Sequence, residues 1–239
     1  MEFIEIQEGS NSKQIVFFVH GFKPIKFKTK NSFINEYRSY LEKARFSGRV
    51  VFCYWESSGS PFIPLPPGKP WLLYPLIKAL DFKSAEKKAK DKGRSFIDSI
   101  FKKYGDLRGN DIFLIGHSLG TLLIHEALTS GNEKRRSYFP LKDVIYLASA
   151  VPEIDYEEWS RVLASMKGNI FLAYSPKDIP LDCTPDFKKR IGKIRLNHAS
   201  DRIVDVHCKN YGHNDYLERM RRVLRKWHFR THSSLSMFS

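Results

Sequence analysis

Short apolar runs alternate with longer amphipathic segments along most of the chain. The runs are almost continuously apolar, as is typical of strands buried on both faces of a sheet. They lie at residues 15–19, 50–55, 112–115, 144–148, 170–174 and 203–206. The segments between them carry apolar residues at helical spacing and lie at residues 33–44, 76–104, 119–130, 156–166 and 216–227.

This alternation of strand and helix predicts an α/β fold. Parallel strands need long crossover connections, which helices provide, so the pattern indicates a mostly parallel central sheet with helices on both faces. Residues 3–6 alternate apolar and polar side chains and predict a short edge strand. The whole chain, residues 1–239, is expected to form a single domain without a large cap domain, and residues 231–239 to form a flexible tail.

Residues that favour helix ends predict several helix boundaries. Asn31 or Ser32 is expected to cap the first helix, and Gly48 to stop it. Gly93 is the expected break in the long segment 76–104. Gly131 lies where a C-terminal cap would end the helix that begins near residue 119.

Residues 56–75 differ from the rest because prolines are interleaved with large apolar side chains. This composition predicts an ordered loop rather than a regular helix or a central strand. The loop follows the carboxyl end of a predicted strand, so Phe62 and Trp71 are candidate substrate-binding residues in an acyl-binding wall or a lid. An ordinary packed loop is the alternative.

Composition limits the classes of protein to consider. The chain has 239 residues, 42% of them hydrophobic, and no apolar run long enough to span a bilayer or to serve as a signal peptide. Three widely spaced cysteines, Cys53, Cys183 and Cys208, are typical of free thiols rather than of a disulfide framework. We therefore expect a cytoplasmic protein.

The formal net charge of +14 indicates attraction to polyanions. Lysines at 83–92 and arginines at 219–230 are expected to form one positive face beside Trp71, as in proteins that bind peripherally to anionic membranes. Nucleic acid is not the expected partner. A solvated basic surface without a partner is the alternative, and the sequence does not predict an oligomeric state.

The candidate chemistry centres on Gly116-His117-Ser118-Leu119-Gly120, between a buried strand and a helix. In a G-x-S-x-G turn the serine adopts a strained backbone conformation that exposes its hydroxyl at the end of the sheet. The flanking glycines are needed because the neighbouring strand and helix approach closely. Ser118 is therefore a candidate nucleophile.

Three further motifs accompany this elbow: His20-Gly21-Phe22 after an early strand, Asp178 after a later strand, and His213 in a late loop. Because these motifs and Ser118 follow the order of the α/β-hydrolase superfamily, the sequence resembles that superfamily, in particular its compact esterases and lipases, over residues 15–227. The resemblance implies a triad of Ser118, Asp178 and His213, with an oxyanion hole formed by the amides of Phe22 and Leu119. Physical chemistry agrees, since a serine needs an imidazole to take its proton and a carboxylate to orient that imidazole. Gly21 and His117 are expected beside the substrate.

Other assignments stay open within this frame. His20, His117, His125 and His207 are alternative bases, but His213 lies in a loop before a helix, where the superfamily places its histidine. Asp155 and Asp182 are alternatives to Asp178 for the acid.

We find no phosphate-binding, dinucleotide or H-E-x-x-H motif, so no cofactor and no metal are expected. The sequence thus predicts a serine hydrolase for an ester with an acyl or lipid-like substrate. A catalytically silent binding module, docking on anionic membrane or nucleic acid, is the alternative.

Overall fold

The computed structural model describes residues 1–22, 29–57, 70–130, 132–182, 188–196 and 200–231, without the side chains of 70–80, 182 and 226–231. The strands are β1 (Glu2–Gln7), β2 (Asn11–Val19), β3 (Gly48–Tyr54), β4 (Asp111–His117), β5 (Leu141–Leu147), β6 (Ile170–Tyr174) and β7 (Ile203–His207). The helices are α1 (Lys30–Ala44), α2 (Pro70–Arg94), α3 (Phe96–Tyr104), α4 (Leu119–Thr129), α5 (Glu133–Tyr138), α6 (Tyr156–Ala164), α7 (Asp215–Glu218) and α8 (Met220–Thr231). A 3-10 helix covers Ile179–Asp182.

The strands form one seven-stranded sheet in the order β1-β3-β2-β4-β5-β6-β7. Strand β1 is antiparallel to β3, and all other neighbouring pairs are parallel. The mostly parallel sheet and the edge position of β1 are as predicted. Strand β4, which leads to Ser118, lies between β2 and β5 in the middle of the sheet.

Two hydrophobic cores lie on opposite faces of this sheet. In β2, Ile15, Phe17 and Val19 belong to one core, whereas Val16 and Phe18 belong to the other. Helices α2, α3, α4 and α6 contribute to the first core, and α1, α7 and α8 contribute to the second. The strands are apolar on both sides because both of their faces are covered.

The predicted cap residues of α1 are wrong. The cap is Thr29, whose Oγ1 accepts a hydrogen bond from Ser32 N at 3.1 Å. At the other end Arg45 adopts a left-handed conformation with φ 55°, so the helix has already ended before Gly48. The side chains of threonine, asparagine and serine can each satisfy a free amide of the first turn, and sequence alone does not show which of these neighbouring residues does so.

The prediction that residues 56–75 avoid regular helix is wrong for their last part, because α2 begins at Pro70. Proline is favoured at the first helical position, where its missing N–H has no partner to lose. Pro75 removes one hydrogen bond, which this helix of 25 residues accommodates. Residues 58–69, including Phe62, lie outside the described residues.

Other boundaries differ in detail. The break expected near Gly93 falls at Ser95, between α2 and α3. Helix α4 ends at Thr129 with Ser130 as its C-terminal cap, while Gly131 lies outside the described residues. The segment predicted as one last helix is interrupted at Arg219. Helix α5, which the sequence analysis missed, buries none of its residues and therefore has no apolar stripe to reveal it.

The two basic helices do not form one positive face. Helix α2 packs against α4 on one side of the sheet, and α8 packs against α1 on the other. Their apolar stripes, Ala85 and Ala89 in α2 and Val223 and Leu224 in α8, are buried in different cores. The expected single basic surface is therefore wrong.

Two further features bear on the expected location. No helix among the described residues is long and apolar enough to cross a bilayer. Cys53 and Cys208 are buried, and Cys183 lies outside the described residues.

Candidate active site

The strand-to-helix turn at Ser118 has the backbone geometry expected of a nucleophile elbow. Ser118 has φ 53° and ψ −125°, a conformation that L residues rarely adopt, and it directly precedes α4. A Cβ on Gly120 would lie 2.2 Å from the Val19 carbonyl oxygen, and one on Gly116 would lie 2.8 Å from Thr121 Cα. Both glycines are thus required by close backbone packing, as the motif predicts.

Side chains from two elements hold the elbow. Thr121 Oγ1 donates to the Ser118 carbonyl at 2.6 Å and lies 3.0 Å from Ser149 Oγ. The Ala150 amide donates to the same Thr121 oxygen at 3.1 Å. This buried network, which the sequence analysis missed, ties the elbow to the chain that follows β5.

The loop after β2 lies directly against the serine. A Cβ on Gly21 would be 2.6 Å from Ser118 Cβ, so only glycine allows this approach. The His20 Nδ1 atom lies 2.6 Å from the Gly21 carbonyl oxygen, while His20 Nε2 accepts from the Trp55 amide at 3.1 Å. Because Trp55 N can only donate, the His20 proton is on Nδ1 and points to Gly21.

This bond fixes the orientation of the Gly21–Phe22 peptide. A trans peptide carries its C=O and N–H on opposite sides, so the Phe22 N–H points away from the His20 ring. Phe22 and Ser118 line the same cavity. Leu119 is the first residue of α4, and its N–H has no acceptor within the helix. Of the two residues whose amides are expected to bind an oxyanion, Leu119 thus follows Ser118 directly in the chain and Phe22 lines the same cavity.

His213 and Asp178 are joined by a hydrogen bond between His213 Nδ1 and Asp178 Oδ1 at 2.8 Å. Asp178 follows β6, and its side chain is fully buried. His213 lies in the loop after β7, and its side chain is 19% exposed. This contact brings together the two residues that sequence analysis paired as acid and base.

Ser118 and His213 lie on the wall of one cavity of about 260 Å³. The contacts of the described residues include no hydrogen bond between Ser118 Oγ and the His213 ring, which we had expected. Such bonds are often long without substrate and shorten when it binds. The cavity is mainly apolar, and its large side chains are Phe22, Phe33, Tyr37, Phe82, Leu181 and Leu217.

The alternative acids are engaged elsewhere or not described. Asp155 is the exposed cap of α6, and its Oδ1 accepts from the Glu158 amide at 2.9 Å. Asp182 ends the 3-10 helix, but its side chain lies outside the described residues.

The alternative bases also have other contacts. His125 Nε2 lies 2.7 Å from Glu158 Oε1. His207 is exposed and stacks on Tyr174, with ring centroids 5.1 Å apart. His20 is buried and holds the Gly21 carbonyl.

His117 lies on the cavity wall but is only 3% exposed. Its Nε2 is 3.0 Å from the His213 carbonyl oxygen, and the two imidazole rings are 5.0 Å apart. Burial, with a smaller contribution from the nearby His213, lowers the pKa of His117 to about 3. The side chain is therefore neutral at physiological pH.

The remaining site predictions concern groups that the structure describes only in part. Trp71 lies within α2, but its side chain, like all of Phe62, is outside the described residues. Among the described side chains, no group of three or more His, Cys, Asp or Glu is placed to hold a metal ion.

The strand order, the elbow and the cavity at the carboxyl edge of the sheet define an α/β hydrolase. Residues 2–204 match the family described as alpha/beta hydrolase of unknown function (DUF900), and the chain belongs to that family. The matched range includes Ser118 and Asp178 and ends before His213. No curated protein matches the chain in sequence.

The chain is also similar in structure to several solved proteins. The type II thioesterase YbtT, from the yersiniabactin NRPS/PKS biosynthetic pathway, has a TM-score of 0.55 and 9% identity, with 98% of this chain and 99% of that chain covered. MenH from S. aureus has a TM-score of 0.49 and 8% identity, with 97% and 99% covered. An alpha-beta serine hydrolase homologue from Coxiella burnetii has a TM-score of 0.47 and 15% identity, with 94% and 96% covered.

Proposed function

We propose that the protein is a serine hydrolase that cleaves an ester through an acyl-enzyme on Ser118. The observation that carries this proposal is the 2.8 Å bond between His213 Nδ1 and Asp178 Oδ1, beside a cavity that Ser118 and His213 share. The bond leaves His213 Nε2 as the ring nitrogen that can take a proton from the serine. A hydroxyl becomes a useful nucleophile only with such a base.

In the first half of the reaction, Ser118 Oγ attacks the ester carbonyl carbon and its proton moves to His213 Nε2. Asp178 stabilises the imidazolium that forms and keeps the ring oriented. The carbonyl oxygen becomes an oxyanion, which the amides of Phe22 and Leu119 bind. When the tetrahedral intermediate collapses, His213 donates the proton to the leaving alcohol and an acyl-Ser118 ester remains.

The second half repeats these steps with water. His213 removes a proton from the water, whose oxygen attacks the acyl carbon, and the same two amides hold the oxyanion. Collapse returns the proton to Ser118 Oγ and releases a carboxylic acid. The cycle needs no cofactor, because the bond-making groups all belong to the chain.

The cavity supports an apolar acyl group as the part of the substrate that is bound. Aromatic and aliphatic side chains dominate its described wall, and its volume of about 260 Å³ suits a short or medium chain rather than a large ring system. The substrate class we propose is therefore a carboxylic ester with a compact apolar acyl group. YbtT, which has the same fold, is a thioesterase, so an acyl thioester belongs in the same assay panel.

The test is covalent labelling with a fluorophosphonate probe, followed by peptide mapping. Wild-type protein should be labelled at Ser118, and Ser118→Ala should not be labelled. Hydrolysis of p-nitrophenyl esters from acetate to decanoate gives the preferred acyl length.

Ser47→Ala is a matched control, because it changes a buried serine that bonds to Gln14 Oε1 at 2.9 Å and belongs neither to the elbow nor to the cavity wall. It should keep its label. Absence of label from correctly folded wild-type protein would contradict the proposal and favour a binding module.

A further inference from the structure

We propose that His117 is a positioning residue that fixes the distance between the nucleophile and the base by holding the His213 backbone. This inference rests on the proposed function and assigns His117 a different role from the substrate contact that the sequence suggests. The observation behind it is the 3.0 Å hydrogen bond between His117 Nε2 and the His213 carbonyl oxygen.

The direction of this bond is unambiguous. A peptide carbonyl can only accept, so the Nε2 atom of His117 must carry the proton and donate it. The other ring nitrogen, Nδ1, is buried and has no hydrogen-bond partner among the described residues. The imidazole therefore has a single polar contact there, and that contact is with the loop that carries the base.

The bond links the two halves of the site by a short path. His117 is the residue immediately before Ser118, and it ends β4 in the middle of the sheet. His213 follows β7 at the edge of the sheet, 96 residues further along the chain than His117. A rigid imidazole between them sets how far the His213 loop stands from the elbow.

His213 is thereby held at two points. His117 holds its carbonyl, and Asp178 holds its Nδ1 atom. One contact fixes the backbone and the other fixes the ring, so together they leave Nε2 little freedom except toward the cavity. Without the first contact, the loop could move while the ring stayed bonded to Asp178.

Burial argues against a direct role for His117 in binding substrate. Only 3% of the residue is exposed, and its one available donor is already engaged with His213. A substrate could use that donor only by breaking the bond to the loop. The neutral state of the ring also avoids a second positive charge 5.0 Å from His213 when His213 becomes protonated during the reaction.

The experiment compares His117→Phe with His117→Gln. Phenylalanine keeps a ring of similar shape without the donor, whereas glutamine carries an N–H donor at a similar reach. The first readout is hydrogen–deuterium exchange of the loop amides of Tyr211 and Asp215, which donate to Cys208 O and Gly212 O. The second readout is kcat and KM for a p-nitrophenyl ester, with the rate of fluorophosphonate labelling.

We expect His117→Phe to speed exchange in the loop by about tenfold and to lower kcat and the labelling rate by about 10- to 100-fold, because small misplacements of a catalytic group are costly. KM should change little. His117→Gln should restore most of the protection and of the rate. His125→Phe is the matched control, because it removes another buried histidine from the same strand–helix unit without touching the loop; it should leave loop exchange unchanged.

Unchanged loop exchange in His117→Phe would overturn the inference, whatever the activity. A raised KM with unchanged kcat would also overturn it, since that pattern indicates a substrate contact. Failure of the proposed function looks different: the wild type would not be labelled at Ser118, while the exchange measurement would still report whether His117 holds the loop.

Discussion

The elbow at Ser118 and the loop at His213 are built in different ways. The elbow follows β4, which lies between the parallel strands β2 and β5, and it is fixed by close backbone packing and by the Ser118 amide, which donates to Leu147 O at 3.0 Å. The histidine loop follows the edge strand β7 and is held mainly by individual contacts. One is the bond from Cys208 N to Tyr174 O at 2.8 Å, and another joins Gly212 N to Asp215 Oδ2 at 2.7 Å.

The difference indicates a division of roles. The proposed nucleophile, Ser118, is held in one position by close-packed backbone, and the amide of Leu119 next to it is held with it. A base on an edge loop can adjust over a short range, which fits the absence of a Ser118–His213 hydrogen bond among the described contacts. The following variants test how far each region tolerates change.

The largest effects are expected from the proposed catalytic groups, His213 and Asp178. His213→Ala should lower kcat/KM by roughly 10³- to 10⁶-fold, and Asp178→Ala by less, because an imidazole without its carboxylate still acts when poorly oriented. Steady-state ester hydrolysis measures both.

Asp155→Ala is the matched control for the acid. It removes the side-chain cap of α6, so it should cost about 1 kcal/mol of stability and leave kcat/KM nearly unchanged. If Asp155→Ala were the slower of the two acid variants, the acid would have been assigned to the wrong strand.

Lowering the pH should destabilise the fold through His117, the residue that connects the two regions. Burial lowers the pKa of His117 from 6.5 to about 3, so between these values the unfolded chain binds a proton that the folded protein does not. The contribution of neutral His117 to the free energy of unfolding is fully present above pH 6.5 and is lost as the pH falls toward 3. Between pH 7 and pH 4 this loss should be about 3 kcal/mol.

The measurement is urea denaturation of wild type and His117→Gln at both pH values. Glutamine does not titrate, so the variant should lose less stability on acidification than the wild type. Equal losses would mean that His117 is not kept neutral by the fold.

One glycine in each region shows how much room its backbone leaves for a side chain. A Cβ on Gly120 would lie 2.2 Å from Val19 O, whereas one on Gly212 would meet nothing closer than Asp215 Oδ2 at 3.6 Å. Gly120→Ala should therefore cost roughly 1–3 kcal/mol or more through forced backbone shifts, and Gly212→Ala should be nearly neutral. Thermal unfolding distinguishes these outcomes, and a tolerant Gly120 would show that the elbow is looser than its contacts indicate.

The smallest effect concerns the basic surface. We propose that any binding to anionic vesicles uses the α2 face, which carries the lysine-rich segment, rather than the α8 face. Lys87→Glu should then weaken salt-sensitive co-sedimentation by roughly tenfold, while Arg222→Glu on the opposite face should have little effect. Equal binding to neutral vesicles, or none to either kind, would leave the net charge of +14 without a membrane role.

The sequence was a good guide where structure depends on local patterns. Residues 170–174 were predicted as a strand and β6 covers Ile170–Tyr174, because a fully buried parallel strand is apolar at every position. The elbow could also be predicted from the sequence, because its glycines are required by contacts between elements that are adjacent in the chain or in the sheet.

What the sequence could not provide depends on distant contacts. Nothing near His117 shows that its ring reaches a carbonyl 96 residues away. Helix α5 has no buried face, and the cap of α1 is one of several nearby polar residues. The opposite placement of α2 and α8 is set by chain topology, which charge patterns do not reveal.

The order of the strands along the chain also affects when the site can assemble during synthesis. A ribosome makes β2, β4 and the elbow before it makes β7 and His213, so the proposed nucleophile can be packed before its proposed base has been synthesised. The nascent chain would carry an unactivated Ser118 in an elbow that has already folded. Hydrolytic competence would then begin in a single late event, when the edge strand docks on β6 and brings the histidine into place.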